Sequence, residues 1–227
     1  MNNELNAISI SQILPKIPFW ANLSSEEKAI VSQRVIKKRF NKNQIISSNS
    51  AACLGVILIL SGGIRVSLIS DEGREVTLYR AHANEFCVST ASCVIHQLTF
   101  ETIVTAEEDT TVLVIPSSVT ARLMEMNIYV RSFVFEQETE RYSQTIWAIQ
   151  QMLFKKFDQR LAAYFIDAYQ STGKPEIKKT QEEIARDVNS AREVVARMLK
   201  DFAAKGFVEI RRGKILLKNA EGLKKLL

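Results

Sequence analysis

A pair of helix-start signals ten residues apart near the C-terminus constrains this chain more than any other feature. Thr180 with Glu183 makes a capping box: the hydroxyl accepts the third amide of the helix and the Glu183 carboxylate accepts the amide of Thr180 itself. A helix should therefore open at Gln181, with Ile184, Ala185 and Val188 on one face. Asn189 follows, one of the few residues besides glycine that accept a left-handed turn. Ser190 with Glu193 offers a second capping box. Val194, Val195, Met198, Leu199 and Phe202 give the second helix its inward stripe, and Gly206 ends it. Two short helices, a tight turn, and small Ala185 where they cross make a helix-turn-helix between Thr180 and Lys205.

The second helix leaves Arg192, Glu193, Ala196, Arg197 and Lys200 facing out. Arginine can donate twice to guanine O6 and N7, and a carboxylate can accept from cytosine N4. Arg192, Glu193 and Arg197 are thus candidate base readers. An ordinary charged helix surface, with Glu193 merely serving the N-terminal amides, would look the same in isolation. The location of the charge separates the two. Of a net +5, residues 174–227 carry fourteen Lys/Arg against eight Asp/Glu, whereas residues 1–173 carry sixteen against seventeen. A basic terminal segment on a neutral body is the electrostatic footprint of nucleic-acid binding. Phe207–Ile210 and Ile215–Leu217, around Arg211-Arg212-Gly213-Lys214, read as a basic hairpin suited to phosphate contact. Thr180, Ser190, Lys200, Arg211, Arg212 and Lys214 are the candidate backbone contacts.

The rest of the 227-residue chain divides by pattern. Residues 1 to about 30 read as short helical turns, with Ser24 or Ser25 placed to cap Glu26-Glu27-Lys28. From Arg39 to Ile115, short apolar runs alternate with turn chemistry: Ile45-Ile46, Leu54–Leu60, Ile64–Ile69, Val76–Tyr79, Ile103-Val104 and Val112–Ile115. Strands at this spacing favour an antiparallel roll or barrel, which either encloses a small ligand or is purely structural. Ser117 to Gln170 lacks proline and glycine and reads as helical. Within it Phe135, Tyr142, Ile146, Ile149 and Leu153 fall at steps of seven, four, three and four, a coiled-coil-like seam flanked by Glu136, Glu138, Glu140 and Arg141. A helix that packs on its own domain is the alternative to a dimer helix. Phe157–Tyr169 reads as a separate helix, ended by Ser171-Thr172-Gly173-Lys174-Pro175.

Glu183-Ile184-Ala185, Arg192-Glu193 with Arg197, Lys205-Gly206-Phe207-Val208 and the Arg212-Gly213 wing resemble the catabolite-activator/fumarate-nitrate-reductase (CRP/FNR) regulators. So do Ile17-Pro18-Phe19-Trp20, Leu23-Ser24, Gly62-Gly63 and the long helix, in family order, so the likeness spans essentially the whole chain. The resemblance implies an α+β protein: an N-terminal antiparallel jelly-roll sensor over residues 1–126, a dimerisation helix over 127–154 and a C-terminal winged helix-turn-helix over 155–227. It implies a bacterial homodimer bound to two-fold double-stranded DNA and working with RNA polymerase. Arg192, Glu193 and Arg197 match the base-reading positions. Ala191 and Asn189 depart from the family's usual serine and glycine, and the first should remove one hydroxyl contact on the phosphate side.

The sensor is less legible. Cyclic-nucleotide members carry Gly-Glu and later Arg-Ser around the cyclic phosphate, and the matching positions here are Asn84-Glu85 and Phe100-Glu101. A buried phosphate without a cation is costly, which argues against cyclic AMP. A four-cysteine iron–sulfur cluster is excluded by count, since Cys53, Cys87 and Cys93 are the only cysteines. Haem stays open through His82, His96, Cys87 and Cys93, as does a redox role for Cys87 and Cys93. Glu85, Phe86, Cys87, Cys93, His96 and Phe100 mark the candidate effector pocket, with the effector unknown and no metal site assigned. A signalling module acting on a protein partner is the alternative function. An enzyme is disfavoured, because no nucleophile–base constellation appears and two histidines are too few for a cupin metal site. No apolar run is long enough to span a bilayer and no leader pattern opens the chain, so a cytoplasmic protein without membrane contact is expected.

Overall fold

A computed structural model describes residues 9–48, 54–70, 75–88 and 102–227. The chain forms two compact units, residues 1–74 with 78–145 and residues 75–77 with 146–227. The boundary falls inside the long helix, not at either end of it. Cys53, Cys93, His96, Phe100 and Glu101 lie outside the described residues.

The first unit is a jelly roll. Its strands are β1 (Ile36–Phe40), β2 (Ile45–Ser47), β3 (Gly55–Ser61), β4 (Gly63–Ile69), β5 (Glu75–His82), β6 (Phe86–Cys87), β7 (Ile103–Ala106) and β8 (Thr110–Pro116). They form two four-stranded sheets, in the orders β1-β8-β3-β6 and β2-β7-β4-β5. Pairings such as Ile57 with Val114 in β3–β8 and Val66 with Val104 in β4–β7 are antiparallel. Ile57, Ile59, Ile64, Val66, Val104, Val112 and Val114 fill one core of the roll. Alternate residues of β3 and β8, including Val56, Leu58, Leu113 and Ile115, pack in a second core with Ile13, Ile17, Phe19, Val130, Phe133 and Val134. Both faces of β3 and β8 are therefore dry, which is why they read as unbroken apolar runs.

Gly62 makes the corner at which the chain leaves one sheet for the other. Its φ of 83° is left-handed, and an added Cβ would lie 2.5 Å from Thr110 Oγ1. That hydroxyl accepts from Gly63 N at 3.2 Å and donates to Gly63 O at 3.0 Å, so the corner is pinned from across the roll.

The helices of this unit are α1 (Ile10–Ile13), α2 (Ser25–Arg34), α3 (Ser117–Met126) and the long α4 (Ile128–Phe154), which continues into the second unit. Ser24 caps α2 in a full capping box with Glu27. Glu27 is buried, and its carboxylate also accepts from Asn127 Nδ2 at 3.1 Å. Asn127 Oδ1 in turn accepts the amides of Tyr129 and Val130 in the first turn of α4. One asparagine thus caps the long helix and anchors it to the N-terminal segment.

The Ser24 amide, followed by the Asn127 and Ser24 side chains, holds the Glu27 carboxyl below the usual carboxylate range. The folded state therefore binds this proton more weakly than the unfolded one. The stabilisation is complete above the unfolded value of about 4.3 and is lost as pH falls through the folded value. Glu27→Gln should lower the melting temperature at pH 7 and flatten its decline between about pH 5 and pH 3. Melting curves across that range check it.

Candidate nucleic-acid interface

The second unit is built around α5 (Phe157–Thr172), α6 (Gln181–Asp187) and α7 (Arg192–Ala204), followed by a hairpin and the short α8 (Ala220–Lys224). The expected capping box opens α6: Glu183 N donates to Thr180 Oγ1 at 3.2 Å and Thr180 N to Glu183 Oε2 at 2.8 Å. Ile184 and Ala185 of α6 meet Val195, Leu199 and Phe202 of α7 in one core with Leu161 and Phe165 of α5. The turn between the two helices is held from behind. Arg160 donates to Val188 O at 2.9 Å, and the Asp187 carboxylate accepts from Tyr164 Oη at 2.9 Å and Lys179 Nζ at 2.6 Å.

Asn189 takes the left-handed conformation expected of it, with φ of 50°. The second capping box does not form. Ser190 N is drawn back to Ala185 O at 2.9 Å, the turn uses one residue more, and Ala191 becomes the N-cap with no side-chain bond. Glu193 is left exposed in the first turn of α7 and free to face outward.

Arg192, Glu193, Arg197 and Lys200 are all exposed on α7. At 100° per residue they fall within an arc of about 140°. Behind them Val195, Leu199 and Phe202 are fully buried, which fixes the helix's rotation. The wing is a three-stranded sheet of β9 (Glu176–Ile177), β10 (Val208–Arg211) and β11 (Lys214–Leu217), with β11 in the middle. Gly213, with φ of 72°, makes the tip beside exposed Arg212.

A cleft of about 300 Å³ lies between the start of α6, Arg192 and this wing, lined by Lys179, Thr180, Arg192, Arg211, Arg212 and Lys214 among others. All of these except Lys179 are candidates read from the sequence. Ser190, Glu193, Arg197 and Lys200 do not line it. The cations there differ in commitment. Arg211 pairs with Glu209 at 2.7 Å, which raises its pKa, and Lys214 with Glu176 at 2.9 Å. Among the described residues Arg192, Arg197, Lys200 and Arg212 have no ion pair, so they meet phosphate or a base edge without first breaking one. The sole sequence signal for Lys179 is its place one residue before the cap.

On the long helix the seam residues Phe135, Tyr142, Ile149 and Leu153 are exposed, Leu153 to 70%, and Ile146 is partly exposed. Trp147 and Phe154, outside the seam pattern, are exposed as well. Arg141, read as a flank of the seam, is buried, 5% exposed. Seven residues after buried Val134, it lies on the roll-facing stripe. Of the effector-pocket candidates, Phe86 is buried edge-to-face against Phe133, and Cys87 is fully buried with its Sγ 3.7 Å from Tyr79 Oη. Glu85 is half-exposed, accepts from His82 N and lies 3.8 Å from the Arg141 guanidinium.

Residues 159–226 match the family model of the Crp-like helix-turn-helix domain, and residues 37–127 that of the cyclic nucleotide-binding domain. The crystal structure of a protein from Eubacterium rectale ATCC 33656, assigned to the crp/fnr family of transcriptional regulators, superposes with a TM-score of 0.88. It is 34% identical and covers 93% of this chain and 98% of its own. The regulator CLP of Xanthomonas campestris, described as c-di-GMP responsive, shares the fold at a TM-score of 0.70 and 16% identity, over 86% of this chain and 99% of its own. Transcriptional regulator SdrP of Thermus thermophilus is 31% identical over 84 residues, 34% of this chain and 42% of SdrP, so that match spans under half of the relative. With both family models in order along the chain and a full-length structural relative above 30% identity, the chain belongs to the CRP/FNR family of transcription regulators.

Proposed function

We propose that the protein is a homodimeric, sequence-specific binder of duplex DNA that controls transcription in the cytoplasm, with RNA polymerase as its working partner. The observation that carries this is a group of exposed cations, Arg192, Arg197 and Lys200 on α7 and Arg212 on the wing, that form no ion pair among the described residues. Arg192, Glu193 and Arg197 read bases; Thr180, Ser190, Lys200, Arg211, Arg212 and Lys214 hold the backbone. Two copies joined along Phe135, Tyr142, Ile146, Ile149 and Leu153 would place their reading helices on half-sites about 34 Å apart. No described helix is long and apolar enough to cross a membrane.

Arg192→Ala should cost about 1–3 kcal/mol of operator binding and relax one base position. Selection from a randomised operator library checks it, and recovery of the unchanged wild-type operator sinks the assignment. Wild-type binding should also weaken steeply with salt; a chain that shifts no DNA at low salt would instead be a module acting on a protein partner.

The roll domain holds the effector in this proposal, and the effector is not cyclic AMP. Phe100 and Glu101, the residues that speak against a phosphate grip, lie outside the described residues. Arg141 is a buried cation in the roll, yet it is already committed to Phe86 O, Gln144 and Glu85.

A further inference from the structure

Asp187 is the last residue of α6, and its side chain is 8% exposed although it carries a charge. A carboxylate at that depth is costly unless its oxygens are met. Oδ2 accepts from Tyr164 Oη at 2.9 Å and from Lys179 Nζ at 2.6 Å. Lys179 precedes the Thr180 cap, so one ion pair ties the approach to α6 to its far end. Tyr164 and Arg160 lie one turn apart on α5 and take neighbouring groups, the Asp187 carboxylate and the Val188 carbonyl.

This grip bears on the reading helix because α7 has no anchor of its own at its start. Its N-cap, Ala191, has no side-chain acceptor for the first amides, and Arg192 and Glu193 follow directly. The buried stripe of α7 begins at Val195, so the first turn depends on the residues before it. Those are Val188, left-handed Asn189 and Ser190, running straight from Asp187. Lys179 also lines the basic cleft, where it would pass for one more phosphate ligand. Its position favours the other role: Nζ lies 2.6 Å from the carboxylate and 5.9 Å from the centre of the Tyr164 ring. Turning to a phosphate would take the cation from a nearly buried acid.

We propose that Lys179, Asp187 and Tyr164 are positioning residues for base reading, holding the end of α6 so that Arg192 and Glu193 meet the groove in one pose. This rests on the proposal that α7 reads DNA. Lys179 is a strut, not a phosphate ligand, and it acts on sequence choice through Asp187 and the turn.

The test uses the full chain with two duplexes: an operator that the wild type selects from a randomised library, and a scrambled duplex of equal length. Lys179→Met and Asp187→Asn change the net charge in opposite directions. Were charge or a phosphate contact the whole of it, the first would weaken and the second strengthen binding to both duplexes, and the first would lower the salt slope by about one. As parts of a strut, each should lower operator affinity about fivefold or more and leave the scrambled duplex within about twofold. The double variant should lose no more than the worse single, because either change breaks the same link. Lys179→Arg, which keeps the cation, should hold the operator within about twofold. Circular dichroism and melting temperatures identify any loss that merely tracks unfolding, which would fall on both duplexes alike. Tighter operator binding by Asp187→Asn, equal losses on the two duplexes, or additive losses in the double variant overturn the inference. A wild type that selects an operator beside variants of unchanged selectivity removes this inference alone. A wild type that selects none removes the base-reading proposal and this one with it.

Discussion

Glutamate at both Tyr142 and Ile149 is expected to leave the protein folded but monomeric, with operator affinity reduced by more than about a hundredfold. Both side chains are exposed in the single chain, so the substitution removes nothing from either unit's core. Burying a large apolar side chain contributes about 1.5–3 kcal/mol. A two-fold interface counts each position twice, so the pair of changes acts at four places. It also adds carboxylates to a helix that already carries Glu136 and Glu140 beside exposed Phe135. A monomer engages one half-site and forfeits the gain from tethering two reading heads. Sedimentation gives the mass, circular dichroism the fold and gel shift the affinity. A variant that remains dimeric would remove this face of α4 as the subunit contact.

Gly55→Ala should unfold the roll at a markedly lower temperature, with a loss of about 3 kcal/mol or more. Gly55 pairs with Pro116 in the β3–β8 ladder and has φ of 109°. A Cβ there would stand 2.0 Å from Ile115 O and 2.5 Å from Ser117 N, backbone atoms that cannot swing aside. The control is Gly173→Ala. Gly173 also has a positive φ, 65°, as the left-handed cap of α5, but nothing lies within 4 Å of its added Cβ. It should cost only the conformational strain, about 1 kcal/mol. Calorimetric scans of both variants separate collision from strain, and equal melting shifts would refute the distinction.

The parts of this protein that are readable from sequence are those whose signal is local. The Thr180–Glu183 box, the left-handed Asn189 and the apolar strands each depend on a few neighbouring residues. The second capping box fails because the Ser190 amide closes the C-terminus of α6 through a bond to Ala185 O past left-handed Asn189, and this C-cap competes for the same residue. β1 escapes a sequence reading because Lys37-Lys38-Arg39 lets it pass as a charged linker, and it is a strand through its pairing with β8. β6 is two residues long and carries no period. Arg141 is misplaced for a different reason. A charged residue beside a seam is ordinarily solvated, and only the roll supplies the Phe86 carbonyl and Tyr79 ring that take it in.

Arg141 and Tyr142 are consecutive on a continuous helix, one sealed against the roll and the other turned outward. No flexible residue stands between them to absorb a change. A change that repacks Arg141 against the Phe86 carbonyl and the Tyr79 ring therefore reaches the exposed face at Tyr142 through a single peptide unit. Burial on one side of this rod and exposure on the other are set by neighbouring residues, so neither can be altered without the other being felt.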